Sequence, residues 1–541
     1  MSHSRIHPSR SSSRSSSRPS ESFLSPPLPA ALYPIGLTIR HPTPPSPFQK
    51  HLFSSRHCKM SPSTTSSAST ALSWTTFSNI IDGVPSQTAT TRCSINPATE
   101  ENNPPVPLST PQDVELAMQA AERAFKPWAA VPYSQRQQAL LAFADALEAE
   151  KEPFARLLTQ EQGKPMMFAS DEIDTAVSWL RTCAALSLPE ERIEEPTRTI
   201  VVRYTPIGVA VGLVPWNFPI LLATGKIASA VVTGNPIIIK PSPFTPAGGL
   251  KLVELAQRFF PPGVVQALSG DDNLGIWLTE HAVPKKISFT GSTATGKKVM
   301  QSASRTLKRV TLELGGKDPA IICEDVDIED VAAKIATLAF LNSGQICVAV
   351  KRIYVHSKII DAFRTALITH TKALKLGAGT DDGVFLGPVQ NKMQYERVRS
   401  FFHDIESQKQ RIAVGGSPPS GKGYFITPTI IDRPEEGSKI VVEEPFGPIV
   451  PLLSFSTDEE AITRANNTDY GLGASVWSAD VARANHIAQR IESGIVWVNT
   501  HMEMDPRVPF GGHKHSGIGT EMGANGLKSY CNSQTLYLGK L

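Results

Sequence analysis

Between Lys286 and Leu314 the chain reads as strand, glycine turn, helix and strand. Lys286–Thr290 is strand-like, Gly291-Ser292-Thr293-x-x-Gly296 is a turn, Thr293–Ser302 has helical spacing, and Val310–Leu314 is again strand-like. Two strands joined by a helix of that length run parallel, because a tight turn can only join antiparallel neighbours. The alternation recurs upstream in Ile207–Val214, Pro236–Lys240 and the helical Gly248–Phe260, and downstream in Arg352–His356, Ala474–Trp477 and Ile495–Asn499. Val114 to Trp128 and Ser134 to Leu158 carry helical periodicity. This pattern predicts an α/β protein with mostly parallel sheets. At 541 residues with no internal repeat, two α/β domains are expected rather than a solenoid. The most apolar window, Ile207 to Gly225, is broken by Pro215, Asn217 and Pro219. It falls short of the roughly 20 uninterrupted apolar residues of a membrane span and reads as a buried strand and turn.

Residues 1–75 are rich in Ser, Pro and Arg and are expected to be disordered, because they cannot bury enough apolar surface to offset ordering. Residues 1–60 hold eight Lys/Arg against the single acid Glu21, so the body carries 45 basic and 49 acidic residues. The net charge of +3 therefore belongs to the tail and gives no support to nucleic-acid binding. An Arg- and Ser-rich, acid-poor start has the composition of a transit peptide, here mitochondrial, but Pro8 and Pro19 oppose the amphipathic helix such a signal needs. Met60 could itself start a chain, and a cytoplasmic location is the first expectation. The six cysteines form no CxxC pair and no His lies at metal spacing, which argues for a reducing compartment and against a metal site.

Four segments carry chemistry. Cys347 follows the small polar turn Asn342-Ser343-Gly344 and suggests a thiol nucleophile, although a cysteine taken alone usually only packs. Glu313, at a strand end before Gly315-Gly316, can act as a general base, whereas a single glutamate is by default a solvated one. Asn217, between Trp216 and Phe218 in a proline-bracketed turn, offers a side-chain amide to an oxyanion, or merely satisfies the turn. Gly291, Ser292, Thr293 and Gly296 lie between strand and helix, where backbone N–H groups can cradle a phosphate or Ser292 can simply cap the helix.

Taken together, Gly344-Gln345-Ile346-Cys347, Leu312-Glu313-Leu314-Gly315-Gly316, Trp216-Asn217-Phe218-Pro219 and the Gly291–Gly296 turn resemble the aldehyde dehydrogenase superfamily, from about Phe77 to the C-terminus. The resemblance implies a Rossmann-like cofactor domain over 76–318, interrupted by oligomerisation strands near 190–204. A catalytic domain over 319–510 follows, then a return segment and oligomerisation strand over 511–541. Thr199–Tyr204 and Gln534–Leu538 look like the family's oligomerisation strands, which pair across subunits, and a homodimer or homotetramer is expected. Cys347 would add to an aldehyde, Asn217 and the Cys347 amide would hold the oxyanion, Lys226 would support the site electrostatically, and Glu313 would activate water. Trp216, Lys240, Ser242, Glu444 and Phe446 would join the glycine turn in holding NAD. Pro243 stands where many NAD-preferring members carry Glu, so NADP is compatible too.

The substrate pocket would include Leu222, Gly225 and Met502, with Leu221, His501, Glu503, Met504 and Asp505 nearby. Gly225 replaces a bulky aromatic of many relatives, which predicts room for an aromatic, branched or long-chain aldehyde. Glu503 and Asp505 disfavour a substrate with its own carboxylate. The rival readings are a CoA-acylating relative, a cysteine esterase without redox chemistry, and a non-catalytic NAD-binding scaffold. Those CoA-acylating relatives typically lack the glutamate represented by Glu313.

Overall fold

The structure, a computed structural model, describes residues 71–416 and 419–540. The expectations for the tail up to residue 70 lie outside the described residues. An eight-stranded sheet runs in the order Gly517–Ile518, Arg309–Glu313, Lys286–Thr290, Ala210–Leu213, Ile237–Lys240, Val265–Ala267, Asn79–Ile81, Val84–Ser86. Its five central strands are parallel, and the edge pairings are antiparallel. The chain moves outward from Ala210–Leu213 in one direction, then returns to add Lys286–Thr290 on the other side. Such a reversal opens a crevice at the carboxyl ends of the strands, where open α/β sheets bind ligands. Leu213, Lys240, Thr290 and Glu313 all sit at that edge, with Leu213 beside Lys240 and Thr290 beside Glu313.

A seven-stranded sheet follows in the order Ile412–Val414, Thr429–Asp432, Ile449–Phe455, Arg352–His356, Pro319–Ile322, Gly473–Trp477, Ile495–Val498, parallel except for its first pair. Apolar clusters cover both faces of each sheet, as parallel sheets require. Among the described residues, no helix is long and apolar enough to cross a membrane.

Two expectations need correction. The Ile207–Gly225 window is a strand over Ala210–Leu213 followed by a buried helix, Pro219–Val232, which starts with proline where a missing N–H does no harm. Ser134–Leu158 divides into two helices, Tyr133–Ala149 and Lys151–Gln162. Pro153 cannot donate to the carbonyl a turn earlier, so one uninterrupted helix is excluded. Two of the expected oligomerisation strands also pair within the chain: Cys531–Gly539 lies antiparallel to Arg198–Pro206, with Gln534 opposite Arg203, and Glu191–Glu194 completes a three-stranded sheet. Every backbone partner that Gln534–Leu538 needs on that side is local.

Candidate active site

The helix Ile328–Phe340 ends in an unusual turn. Asn342 and Ser343 take left-handed angles (φ 51° and 56°), and Gly344 follows at φ 70°. Non-glycine residues seldom adopt this conformation, so the surroundings must hold it. The buried Gln345 side chain donates to Asn342 O at 2.9 Å and accepts from Gln390 N at 2.8 Å, while Ser343 Oγ donates to Gly387 O at 2.7 Å. Gly344 cannot be replaced without a shift, because a Cβ there would lie 2.3 Å from Gly447 O. Cys347 emerges from this turn half-buried, within an apolar cluster that includes Ile346, Phe218, Met502 and Phe510.

Burial pushes the Cys347 thiol up to about 12, although Lys351 opposes the shift. Lys351 Nζ donates to the Cys347 carbonyl and pairs with Glu444 at 3.0 Å. The resting group is therefore a thiol, and its thiolate fraction rises with pH. Alkylation of Cys347 by iodoacetamide is expected to accelerate about tenfold per pH unit from 7 to 9, followed by mass spectrometry.

Glu313 ends its strand with both carboxylate oxygens buried and without a hydrogen-bond partner. Burial raises its pKa well above the ordinary value and Glu521 adds to that, against Lys226 and Lys286. Burial thus favours its protonated form. Two orphaned buried oxygens mark a group poised for a partner that arrives with the reaction. Lys226 Nζ donates to Ser288 at 3.0 Å, Thr290 at 2.9 Å and Glu521 at 2.6 Å. Glu521 is held by a reciprocal backbone bridge to Phe510.

Asn217 is buried, and its Nδ2 donates to Gln345 O at 3.0 Å, so its amide lies against the turn that carries Cys347. Trp216 meets Phe446 edge to face at 5.3 Å. Glu444 accepts from Gly316 N at 3.1 Å. Across the strand ends, Ser292 caps the helix Thr293–Ser304 by accepting from Thr295 N at 3.3 Å. Gly291 and Gly296 leave space that a Cβ would fill, at 2.5 Å from the Phe289 ring and 2.6 Å from Leu314. Ser242 accepts from Phe244 N at 3.2 Å. Lys240 is buried and, among the described residues, forms no ion pair and makes one weak hydrogen bond, to Pro241 O at 3.5 Å. Burial lowers its pKa to about 8, against Asp272. A buried ammonium without a strong acceptor among the described residues, at the same sheet edge as the Ser292-capped helix start, fits the hydroxyls and phosphates of a dinucleotide.

The family model for the aldehyde dehydrogenase family matches residues 84–536. A putative aldehyde dehydrogenase, FUS7, of Gibberella fujikuroi is 42% identical, covering 87% of this chain and all of its own. The chain belongs to the aldehyde dehydrogenase family. A phenylacetaldehyde dehydrogenase of Pseudomonas fluorescens is 36% identical over 82% of this chain and 91% of its own. The fold matches the NAD+ complex of a Bacillus cereus aldehyde dehydrogenase with a TM-score of 0.84 and 34% identity, covering 86% and 96% of the two chains. The cofactor-side architecture is thus the Rossmann-like fold of this family.

Against the aldehyde dehydrogenase pattern, one pocket expectation changes. The room expected at Gly225 is taken by Trp179, whose ring atoms lie 3.3 and 3.4 Å from where a Gly225 Cβ would stand. Leu221 and Leu222 pack on the helical core, while Met502, at φ 61°, joins the cluster around Cys347. Asp505 is tied to Arg507, and Glu503 accepts from Thr500 Oγ1 at 2.8 Å, so neither acid faces the site unpaired. His501 donates from Nε2 to Val348 O at 2.7 Å, the tautomer that bond requires. Sequence reasoning missed Lys351, Glu521, Lys164 and Glu172. Each is a lone charged residue, and nothing local distinguishes it from a solvated one.

Proposed function

We propose that this chain oxidises an aldehyde to its carboxylic acid with a nicotinamide dinucleotide as electron acceptor. The observation that carries the reading is the convergence of Cys347, the Asn217 amide and the unpartnered Glu313 carboxyl at the strand-end crevice. Cys347 Sγ gives its proton to solvent and bonds to the carbonyl carbon, while the C=O π pair moves to the oxygen, giving an oxyanion that Asn217 Nδ2 and the Cys347 N–H hold. A nicotinamide held by Trp216, Glu444 and Phe446 would supply the hydride acceptor that oxidation of this adduct to a thioester requires. Glu313, once ionised, removes a proton from water as its oxygen attacks the thioester carbon, and the C–S bond breaks to give acid and thiol. Lys226 holds Glu521 and biases the charge of Glu313.

Lys240, Ser242, Gly291, Ser292, Thr293 and Gly296 are assigned to the adenosine and phosphate end of the cofactor. Trp216, Glu444 and Phe446 are assigned to the nicotinamide end. NAD is preferred, on the likeness to the NAD+ complex of the Bacillus cereus enzyme. Pro243 places no carboxylate against the extra phosphate of NADP. Leu222 and Met502 remain assigned to the pocket, with the Trp179 ring in place of the room expected at Gly225, and its Met- and aromatic-rich lining favours an apolar, aromatic or long-chain aldehyde. The domain division is retained at 76–318, 319–510 and 511–541. Ile193, Tyr537 and Leu538, exposed on the three-stranded sheet, support burial against a second copy in a dimer or tetramer.

Formation of reduced nicotinamide, read by absorbance with NAD+ or NADP+ across aliphatic and aromatic aldehydes, tests the function. No turnover with any of them despite cofactor binding would overturn it. Lys240→Met is expected to raise the KM for NAD+ roughly 10–100-fold, the loss of one or two charge-assisted hydrogen bonds, with the aldehyde KM little changed.

A further inference from the structure

Two buried carboxylates of the helical layer cap neighbouring helices from outside. Glu161 accepts from Ala247 N at 2.9 Å and Gly248 N at 3.2 Å, at the start of Pro246–Ala256, and from Ser94 Oγ at 3.1 Å. Glu172 accepts from Ile220 N at 2.9 Å and Leu221 N at 3.1 Å, at the start of Pro219–Val232. Neither helix has a capping side chain of its own. The two caps differ in one respect. Glu161 has no cationic partner among the described residues, and burial pushes its carboxyl up to about 7. Glu172 is paired with Lys164 at 2.5 Å, and both side chains are fully buried.

Glu161 shows that this fold can cap a helix with a carboxylate and no buried cation, so capping does not explain Lys164. A buried ion pair is seldom worth more to stability than an apolar pair of the same size. What Lys164 adds is a grip on the turn before the helix. Its Nζ donates to Asn217 O at 2.9 Å and lies 3.8 Å from the centre of the Phe218 ring. Asn342 Nδ2, from the Cys347 turn, reaches the same carbonyl at 3.4 Å. The Asn217 peptide is held from both sides, while its side chain points at the backbone of Gln345.

We propose that the Lys164–Glu172 pair is a positioning device for the oxyanion donor, fixing the Asn217 peptide so that the side-chain amide meets the developing charge at Cys347. The inference rests on the aldehyde-oxidising reading. Lys164 and Glu172 act through Asn217 and are positioning residues.

The test is a double-mutant cycle. Lys164→Met/Glu172→Gln removes both charges while the amide oxygen still accepts from Ile220 and Leu221, so no lone charge is left buried. With an aromatic aldehyde and NAD+, this neutral pair is expected to lower the first-turnover rate about 10–100-fold, as an oxyanion donor displaced by about 1 Å would. The aldehyde KM should change less than about twofold. Asn217→Ala alone is expected to cost about 10²–10³-fold. In that background the neutral pair should lower the rate less than about twofold, because the group it positions is gone. Equal losses in both backgrounds would overturn the proposal and leave the pair structural. Should the neutral pair not fold, Glu172→Gln alone, which keeps the cap, is carried through the same cycle with the same two outcomes. A wild type that reduces no NAD+ would overturn the underlying function; an active wild type with equal losses would overturn only the positioning role.

Discussion

Cys347→Ala is expected to lower aldehyde-dependent NADH formation at least about 10⁴-fold, the scale on which losing a covalent nucleophile stops catalysis. The thiol, on the turn against which the Asn217 amide lies, is the group assigned to form the covalent adduct from which a hydride can leave. Cofactor binding should survive, since Lys240 ends a strand of the eight-stranded sheet, Ser292 and Gly296 lie in the turn and helix after another of its strands, and none of them belongs to the Cys347 turn. Fluorescence titration with NADH beside the activity assay separates the two properties. NADH production persisting in the variant at more than about 1% of wild type would remove the covalent mechanism.

Glu313→Gln is expected to leave the first turnover near the wild-type rate and to slow steady-state turnover about 10²–10⁴-fold, the usual worth of a general base. The argument is in its surroundings. Both oxygens are buried and unpartnered, so the amide is nearly isosteric and breaks no existing hydrogen bond. The raised pKa gives the direction with pH. Below its pKa Glu313 is protonated and cannot take a proton, so deacylation should rise with pH until the carboxyl ionises. In rapid-mixing absorbance, wild type should turn over continuously and Glu313→Gln should give a burst of one NADH per site, followed by a plateau. Intact mass should show the trapped acyl group on Cys347. A variant slowed in the burst itself would assign Glu313 to the first step instead.

Much of the scaffold was legible because its signals are local. Lys286–Thr290 and Arg352–His356 match their expected limits, being apolar strands bounded by turn residues. The helix at Thr293 announces itself by a serine cap after glycine. Pro219–Val232 escaped notice because it is buried on most of its surface, so no polar stripe marks its period. The division at Glu150 was readable from Pro153, but the apolar spacing continues in phase across it. At the site, Cys347, Glu313 and Asn217 stood out through the short motifs around them. Glu521 and Lys164 did not, because their meaning lies in contacts 295 and 53 residues away along the chain. The turn through Asn342 and Ser343 is a third case. Left-handed angles at two non-glycine residues are imposed by Gln345, Gln390 and Gly387, and local preference opposes them.

The pairing of Lys226 with Glu521 also has a consequence for synthesis. A ribosome adding about 5–20 residues per second needs roughly 15–60 s to cover the 295 residues between them. Throughout that interval the helix Pro219–Val232 carries a lysine destined for burial whose counter-charge has not been made. The edge strand Gly517–Ile518 and the closing strand Cys531–Gly539 are missing as well. A chain cut short before Glu521 would have to bury that ammonium alone or leave the sheet open. Catalytic competence is thereby tied to arrival of the last few dozen residues, and prematurely terminated polypeptides should be cleared as unfolded species rather than persist as partially active enzyme.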